Sequence, residues 1–195
     1  MPAKRPPVPL SRERIIDAAL HIADGQGLRR LTMRRLGDAL QVEAMAIYHH
    51  LPRGKNALMD ALAEHVTAVV VEPSDDDWRG VARHWSRACR AALRAHPGVL
   101  ALALTTPPKG RTAAAIREQI DQLDRAGLAD AGGAVHALRA YVFGSVAVEV
   151  QQSGWADPDS DVEPGPWPRS DARADAAFEE GLDALLDGLQ RRRSP

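Results

Sequence analysis

Apolar residues recur at steps of three and four along almost every long segment of this chain, and no stretch alternates as a half-buried strand would. That period commits the chain to helices packed on helices, an all-α fold. Ser11 is placed to cap a first helix whose apolar stripe is Ile15, Ile16, Ala19, Leu20 and Ala23, and Gly25 and Gly27 end it. Thr32 caps a short helix, "MRRLGDAL". A brief turn at Gln41 and Val42 leads to a second short helix over 43–50, which Pro52 stops. A fourth helix is expected over 55–71. Acids ahead of Trp78 open a fifth, and "GVLALAL" and "AAIREQIDQLDRAG" follow. "AVHALRAYVFGSVAVEVQQ", apolar on nearly all sides, reads as a buried helix. Pro, Gly and acids then crowd residues 154–170, the signature of a long loop. The last helix carries Phe178, Leu182, Leu185 and Leu189 at steps of four, three and four, a narrow seam of the kind that packs against a partner helix.

Composition narrows the function. With 45% apolar and 26% charged residues, 195 residues can bury a real core. No apolar run approaches the ~20 residues of a membrane span, and "MPAKRPPVPL" lacks the apolar centre of a secretory signal, so the cytoplasm is the expected compartment and no membrane partner is expected. A lone cysteine, Cys89, forms no intrachain disulfide and reads as a small residue on a helix face. Net charge is −1 overall, yet residues 1–55 hold ten basic against five acidic side chains, a net +5, leaving −6 on the other 140. A basic end on an acidic body suits a chain that meets a polyanion with one end. Residues 1–10 read as a disordered arm, with a basic arm along a minor groove as the alternative.

Residues 31–62, "LTMRRLGDALQVEAMAIYHHLPRGKNALMDAL", place two short helices around a tight turn against the first helix. That is a helix-turn-helix, whose second helix is narrow enough for a DNA major groove. On it Ile47 and Leu51 share one side, while Ala44 with Tyr48 and Met45 with His49 share the other. Adjacent His49 and His50 make a poor metal site, because neighbours on a helix point ~100° apart. His21, His65, His84, His96 and His136 read as ordinary helix residues. "GKN" at Gly54 lacks the glycines and hydroxyl of a phosphate loop, and no paired carboxylates or nucleophile elbow appear, so no catalytic residue, metal or cofactor is expected.

The stripe "IIDAALHIADGQG", the start "LTMRRL", "LQV" at the turn, "IYHHL" and "K-ALMDAL", in that order over residues 11–62, resemble the DNA-binding domain of the TetR-type transcriptional repressors. The resemblance assigns groove or base-edge contact to Ala44, Met45, Ala46 and His49. It places Arg34, Tyr48, His50 and Lys55 where the family meets DNA, mostly phosphate, with Val42, Ile47 and Leu51 holding the helix. Three departures stand out. Gln41 occupies the usual turn glycine, Gly37 replaces a usual alanine, and Lys55 lies one residue further from Tyr48 than is common, so that Arg53 competes for its role.

More loosely, "DDWRGVARHWSRACRAALRAHPGV", "LTTPP", "REQIDQLDRAGL" and "ALRAYVFGSVAVE" resemble the helical ligand-binding and dimerisation domain of the tetracycline repressors. This implies ligand-pocket positions at Trp85, Cys89, Leu102, Thr105 and Gln119, with Glu149 near a position that supports a metal. Val71 and Leu102 stand where those repressors grip drug and magnesium with histidines, which points to an apolar or mixed-polarity effector instead. The chain is thus expected to have an arm (1–10), a helix-turn-helix domain (11–55) and a helical ligand-binding and dimerisation domain (56–195). It is expected to be a homodimeric repressor on a palindromic, double-stranded DNA operator, released by a small-molecule effector. A constitutive DNA-binding dimer would instead show a solid core between helices five and eight, and an enzyme a cavity with an acid–base pair.

Overall fold

The computed structural model describes residues 9–72, 77–152 and 171–191, which form nine α-helices and two 3-10 turns, with no strand among them. Most of the expected arm and all of the expected 154–170 loop, with Trp155 and Trp167, lie outside the described residues. No helix among the described residues is long and apolar enough to cross a membrane.

The caps legible in the sequence form. The Ser11 hydroxyl accepts from the Arg14 N–H at 3.2 Å and opens α1 (Arg12–Gln26), which Gly27 closes at φ 81°. The Thr32 hydroxyl accepts from the Arg35 N–H at 3.1 Å and opens α2 (Met33–Leu40). α3 (Ala44–His50) starts one residue later than expected, with Glu43 as its extended N-cap. Ile15, Leu36, Ile47, Leu51 and Leu58 are buried together and hold α1 to α3 and the start of α4 (Lys55–Thr67) around one small core.

α4 stops a turn short of the expected 71. Val69, Val70 and Val71 follow it, and a run of β-branched residues disfavours a further turn. At its end the Thr67 hydroxyl donates to the Ala63 carbonyl and lies 2.7 Å from the Thr112 hydroxyl.

The larger body is built on α5 (Trp78–Ala95) and α8 (Ala131–Gln152), which pack along each other, with α6 (Leu100–Thr105), α7 (Gly110–Arg125) and α9 (Asp171–Arg191) around them. α9 is held by three buried side chains, Phe178, Leu182 and Leu186. Of the seam expected at Phe178, Leu182, Leu185 and Leu189, the first two are taken up by the chain's own core. Leu186 goes into the chain's own core, while Leu185 and Leu189 are only half-buried. Polar contacts flank this packing: Arg79 with Asp187, Arg83 with Asp183, Arg87 with Glu179 and Arg90 with Asp175 tie α5 to α9 rung by rung.

One joint fixes the small helical head to the body. Asp24, at the end of α1, accepts from the Gly98 N–H at 2.9 Å and pairs at 2.8 Å with Nδ1 of His96, which caps the 3-10 turn Pro97–Val99 between α5 and α6. Gly98 is needed there, because a Cβ on it would fall inside the Ala23 carbonyl.

Candidate nucleic-acid interface

The turn between α2 and α3 decides how α3 is presented. Gln41 adopts φ 57° and ψ 42°, the left-handed conformation that glycine usually fills; the Gln41 N–H reaches the Asp38 carbonyl at 3.2 Å and the Val42 N–H reaches the Gly37 carbonyl at 3.0 Å. This is a Schellman closure made without glycine at its strained position. The glycine sits instead at Gly37, where a Cβ would lie 2.8 Å from the Val42 carbonyl oxygen. Two of the departures noted in the sequence are thus one local solution. Gln41 bears the left-handed turn, and Gly37 lets the turn fold back against α2.

On α3, Ile47 is fully buried and Leu51 follows it into the core. The opposite side carries Met45, 69% exposed, and Tyr48, 39% exposed, with His49 and His50 also in solvent. Ala44 and Ala46 are half-buried. The Tyr48 ring lies against Gly54, which has φ 55° and no room for a Cβ, so the loop after α3 is shaped around that ring.

Cations surround this face. Arg29, Arg30, Arg34, Arg35 and Lys55 are exposed and make no ion pair among the described residues. Arg53, the sequence's rival to Lys55, is engaged: it donates to Asp60 Oδ2 at 3.1 Å, and Lys109 of the body donates to Asp60 Oδ1 at 2.7 Å. The Lys109 hydrogen bond holds the Asp60 carboxyl below its usual pKa, with the two positive charges acting in the same direction. Sequence reasoning missed Asp60, because its partners lie 7 and 49 residues away.

In the body, Trp85 and Cys89 lie one turn apart on the buried face of α5, and Gln119 is buried on α7, which packs against α5. Burial pushes the Cys89 thiol up to about 12, so it is a neutral packing group and not a nucleophile. Gln119 is 3% exposed, yet neither end of its amide has a partner among the described residues, and the buried Ser86 hydroxyl is equally unpartnered. Leu102 is half-buried. Thr105 is exposed, with its hydroxyl turned to the Ala101 carbonyl of its own helix at 2.7 Å. Glu149 accepts from Arg90 Nε at 3.0 Å and lies 3.4 Å from Arg94 Nε, a structural ion pair.

A separate groove of about 550 Å³ opens at the joint between α1, α4 and the turn before α6, lined by Asp17, Leu20, His21, Asp24, Gly25, His65 and His96. It contains none of the pocket residues named from the sequence. Three histidines that read as ordinary helix residues meet there, His65 edge-on to His96 at 5.5 Å between ring centres. No group of His, Cys, Asp or Glu among the described residues is arranged to hold a metal ion.

Two family models match the chain. That described as bacterial regulatory proteins, tetR family, matches residues 15–62, and the tetracyclin repressor-like C-terminal domain matches residues 71–170. The class A tetracycline repressor from transposon 1721 of Escherichia coli is 35% identical, over 92% of this chain and 90% of its own length. The transcriptional repressor DrrR1 of Streptomyces coeruleorubidus is 31% identical, over 77% of this chain and 58% of its own. Among solved structures, TetR from Acinetobacter baumannii AYE superposes with a TM-score of 0.74 at 30% identity, covering 96% of this chain and all of that one. A variant of that repressor in complex with minocycline gives 0.73 at the same identity, over 96% of this chain and all of that one. A helix-turn-helix head with an open, cation-ringed α3 and a body matched through a second model lead to one conclusion: this chain belongs to the TetR family of transcriptional regulators.

Proposed function

We propose that this protein is a homodimeric repressor that binds a palindromic operator through α3 and is released by a small molecule seated in the body. The observation that carries the DNA part is the contrast in charge pairing. Partly buried arginines along α5 meet carboxylates, whereas Arg34, Arg35 and Lys55 around α3 have none among the described residues. Unpaired cations beside an exposed helix release counterions when they meet phosphate, which is the dominant source of affinity for DNA.

In this reading Arg34, Tyr48, His50 and Lys55 hold the backbone, and Ala44, Met45, Ala46 and His49 read the groove. The Arg53–Asp60 pair favours Lys55 as the free phosphate ligand. A single seven-residue helix reads few base pairs, so twofold pairing supplies the specificity. The second subunit would meet the outer face of α8 and α9, where Ala140, Gly144, Val148, Ala177 and Ala184 are exposed.

The effector would sit among Trp85, Cys89, Leu102 and Gln119, with Thr105 at the rim. The unpartnered Gln119 amide favours a ligand over a constitutive regulator, because a buried polar group without a partner costs about 1–3 kcal/mol. Coupling has a physical route. One face of α4 is fastened to the start of α7 at three successive turns: Asp60 to Lys109, Glu64 to the Arg111 N–H at 2.6 Å, and Thr67 to Thr112. A ligand that shifts α6 and α7 therefore draws α4, and with it the head.

Gel shifts on the DNA upstream of the coding region test the reading. An inverted repeat there should be bound. Lys55→Ala and Tyr48→Ala should weaken binding to all sequences, while Met45→Ala and His49→Ala should change the preference among them. Parent-like binding by all four variants would refute the assignment of α3.

A further inference from the structure

We propose that the effector is an organic anion and that Arg139 of α8 is the residue that selects it. The proposal rests on the effector reading above and adds to it a charge and a residue that the sequence had not singled out. The inward arc of α8 is apolar: Val135, Leu138, Val142 and Val146 are all buried. Arg139 falls within that arc, four residues after Val135 and three before Val142, and is itself partly buried. Its guanidinium carbon lies 5.0 Å over the Phe143 ring.

The charge has no answer. Arg79, Arg83, Arg90 and Arg94, the other partly buried arginines of the body, each meet a carboxylate. Arg139 meets none among the described residues. Burial lowers its pKa, and its one electrostatic neighbour, the Cys89 thiol, stays protonated and supplies no counter-charge. A cation held against an apolar surface is stable when an anion joins it, and a guanidinium can grip a carboxylate or another ionised oxygen in a planar fork.

The surroundings add to this. Tyr141 donates to the Phe178 carbonyl at 2.7 Å and marks the flank of α8 that faces α9. Two residues earlier, Arg139 lies ~160° around the helix from that flank. α8 also packs on α7 and α5, which carry the unpartnered Gln119 amide and Ser86 hydroxyl. Guanidinium, amide N–H and hydroxyl can all donate, and Trp85 and Phe143 are flat apolar members of the core. Donors set among flat apolar side chains suit an aromatic acid better than a neutral or cationic molecule.

The test uses the full-length protein and two probes of the same shape, 2-naphthoate and its neutral methyl ester, titrated by calorimetry and by quenching of tryptophan fluorescence. The parent should bind the acid at least tenfold more tightly than the ester. Arg139→Gln should remove that preference without weakening the ester, and Arg139→Lys should keep part of it. Equal binding of acid and ester by the parent, a measurement that needs no variant, would overturn the proposal. So would a preference for the acid that survives Arg139→Gln. If both probes bind equally and Gln119→Ala weakens both, the effector site stands and only its charge selection falls. If neither probe binds at millimolar concentration, both readings fall.

Discussion

Gln41 and Gly37 show how two residues that look misplaced in a helix-turn-helix can be a matched pair. A non-glycine residue in the left-handed region costs about 1–2 kcal/mol. Gln41→Gly should therefore raise stability by about 1 kcal/mol, part of the relief being offset by the greater freedom of glycine in the unfolded chain; thermal melts would show it as a rise of a few degrees. Gly37→Ala should act oppositely. Its methyl would press on the Val42 carbonyl, costing about 1–3 kcal/mol, and the displaced turn should also weaken operator binding in a gel shift. The strain at Gln41 was legible in the sequence, since the family pattern places glycine there. Gly37 was legible only as a glycine standing where alanine is usual, because the oxygen it must clear belongs to a turn whose path no local pattern specifies. The same limit applies to Arg53, whose partner Asp60 sits a helix away.

Element by element, the helices and their caps followed from periodicity, because each cap is a contact three residues long. What escaped was register between helices. A seam at steps of four, three and four selected Leu185, yet Leu186 is the residue that enters the core, since α9 also docks against α5 through its acidic face. That docking predicts acid sensitivity. Hydrogen bonds from Arg90, Arg87 and Arg79 hold the carboxyls of Asp175, Glu179 and Asp187 below their usual values. A carboxyl whose folded pKa is depressed contributes stability that is full above its unfolded value, near 4, and is lost as pH falls through the folded one. Urea midpoints should thus hold from pH 7 to 5 and drop below pH 4. Salt should lower them only slightly, as exposed pairs contribute about 0–1 kcal/mol each. Arg90→Ala should cost more than any other rung, about 1–3 kcal/mol, because it takes a hydrogen bond from the partly buried Glu149 and another from Asp175, leaving each with Arg94 alone.

Across the whole molecule, head and body meet through few polar contacts, and Asp60 is the one that joins the loop after α3 directly to the start of α7. Asp60→Asn should leave the fold intact, touch no DNA, and still lower operator affinity severalfold by freeing the head to wander. Faster amide exchange in α1–α3 by mass spectrometry would be its signature, and parent-like exchange would show that the head is held by other means. The joint at Gly98 limits how the head can move. Ala23 and Gly98 are in contact with no space for a methyl group, and the Asp24 carboxylate is clasped from two sides. Such a point acts as a fulcrum: the head cannot slide along the body or part from it there, but it can pivot. In the proposed coupling a pull on α4 would become a swing of α3 whose reach is set by the ratio of two lever arms, so a sub-ångström shift near an effector would be magnified where, in the proposed dimer, two recognition helices have to match the spacing of successive major grooves.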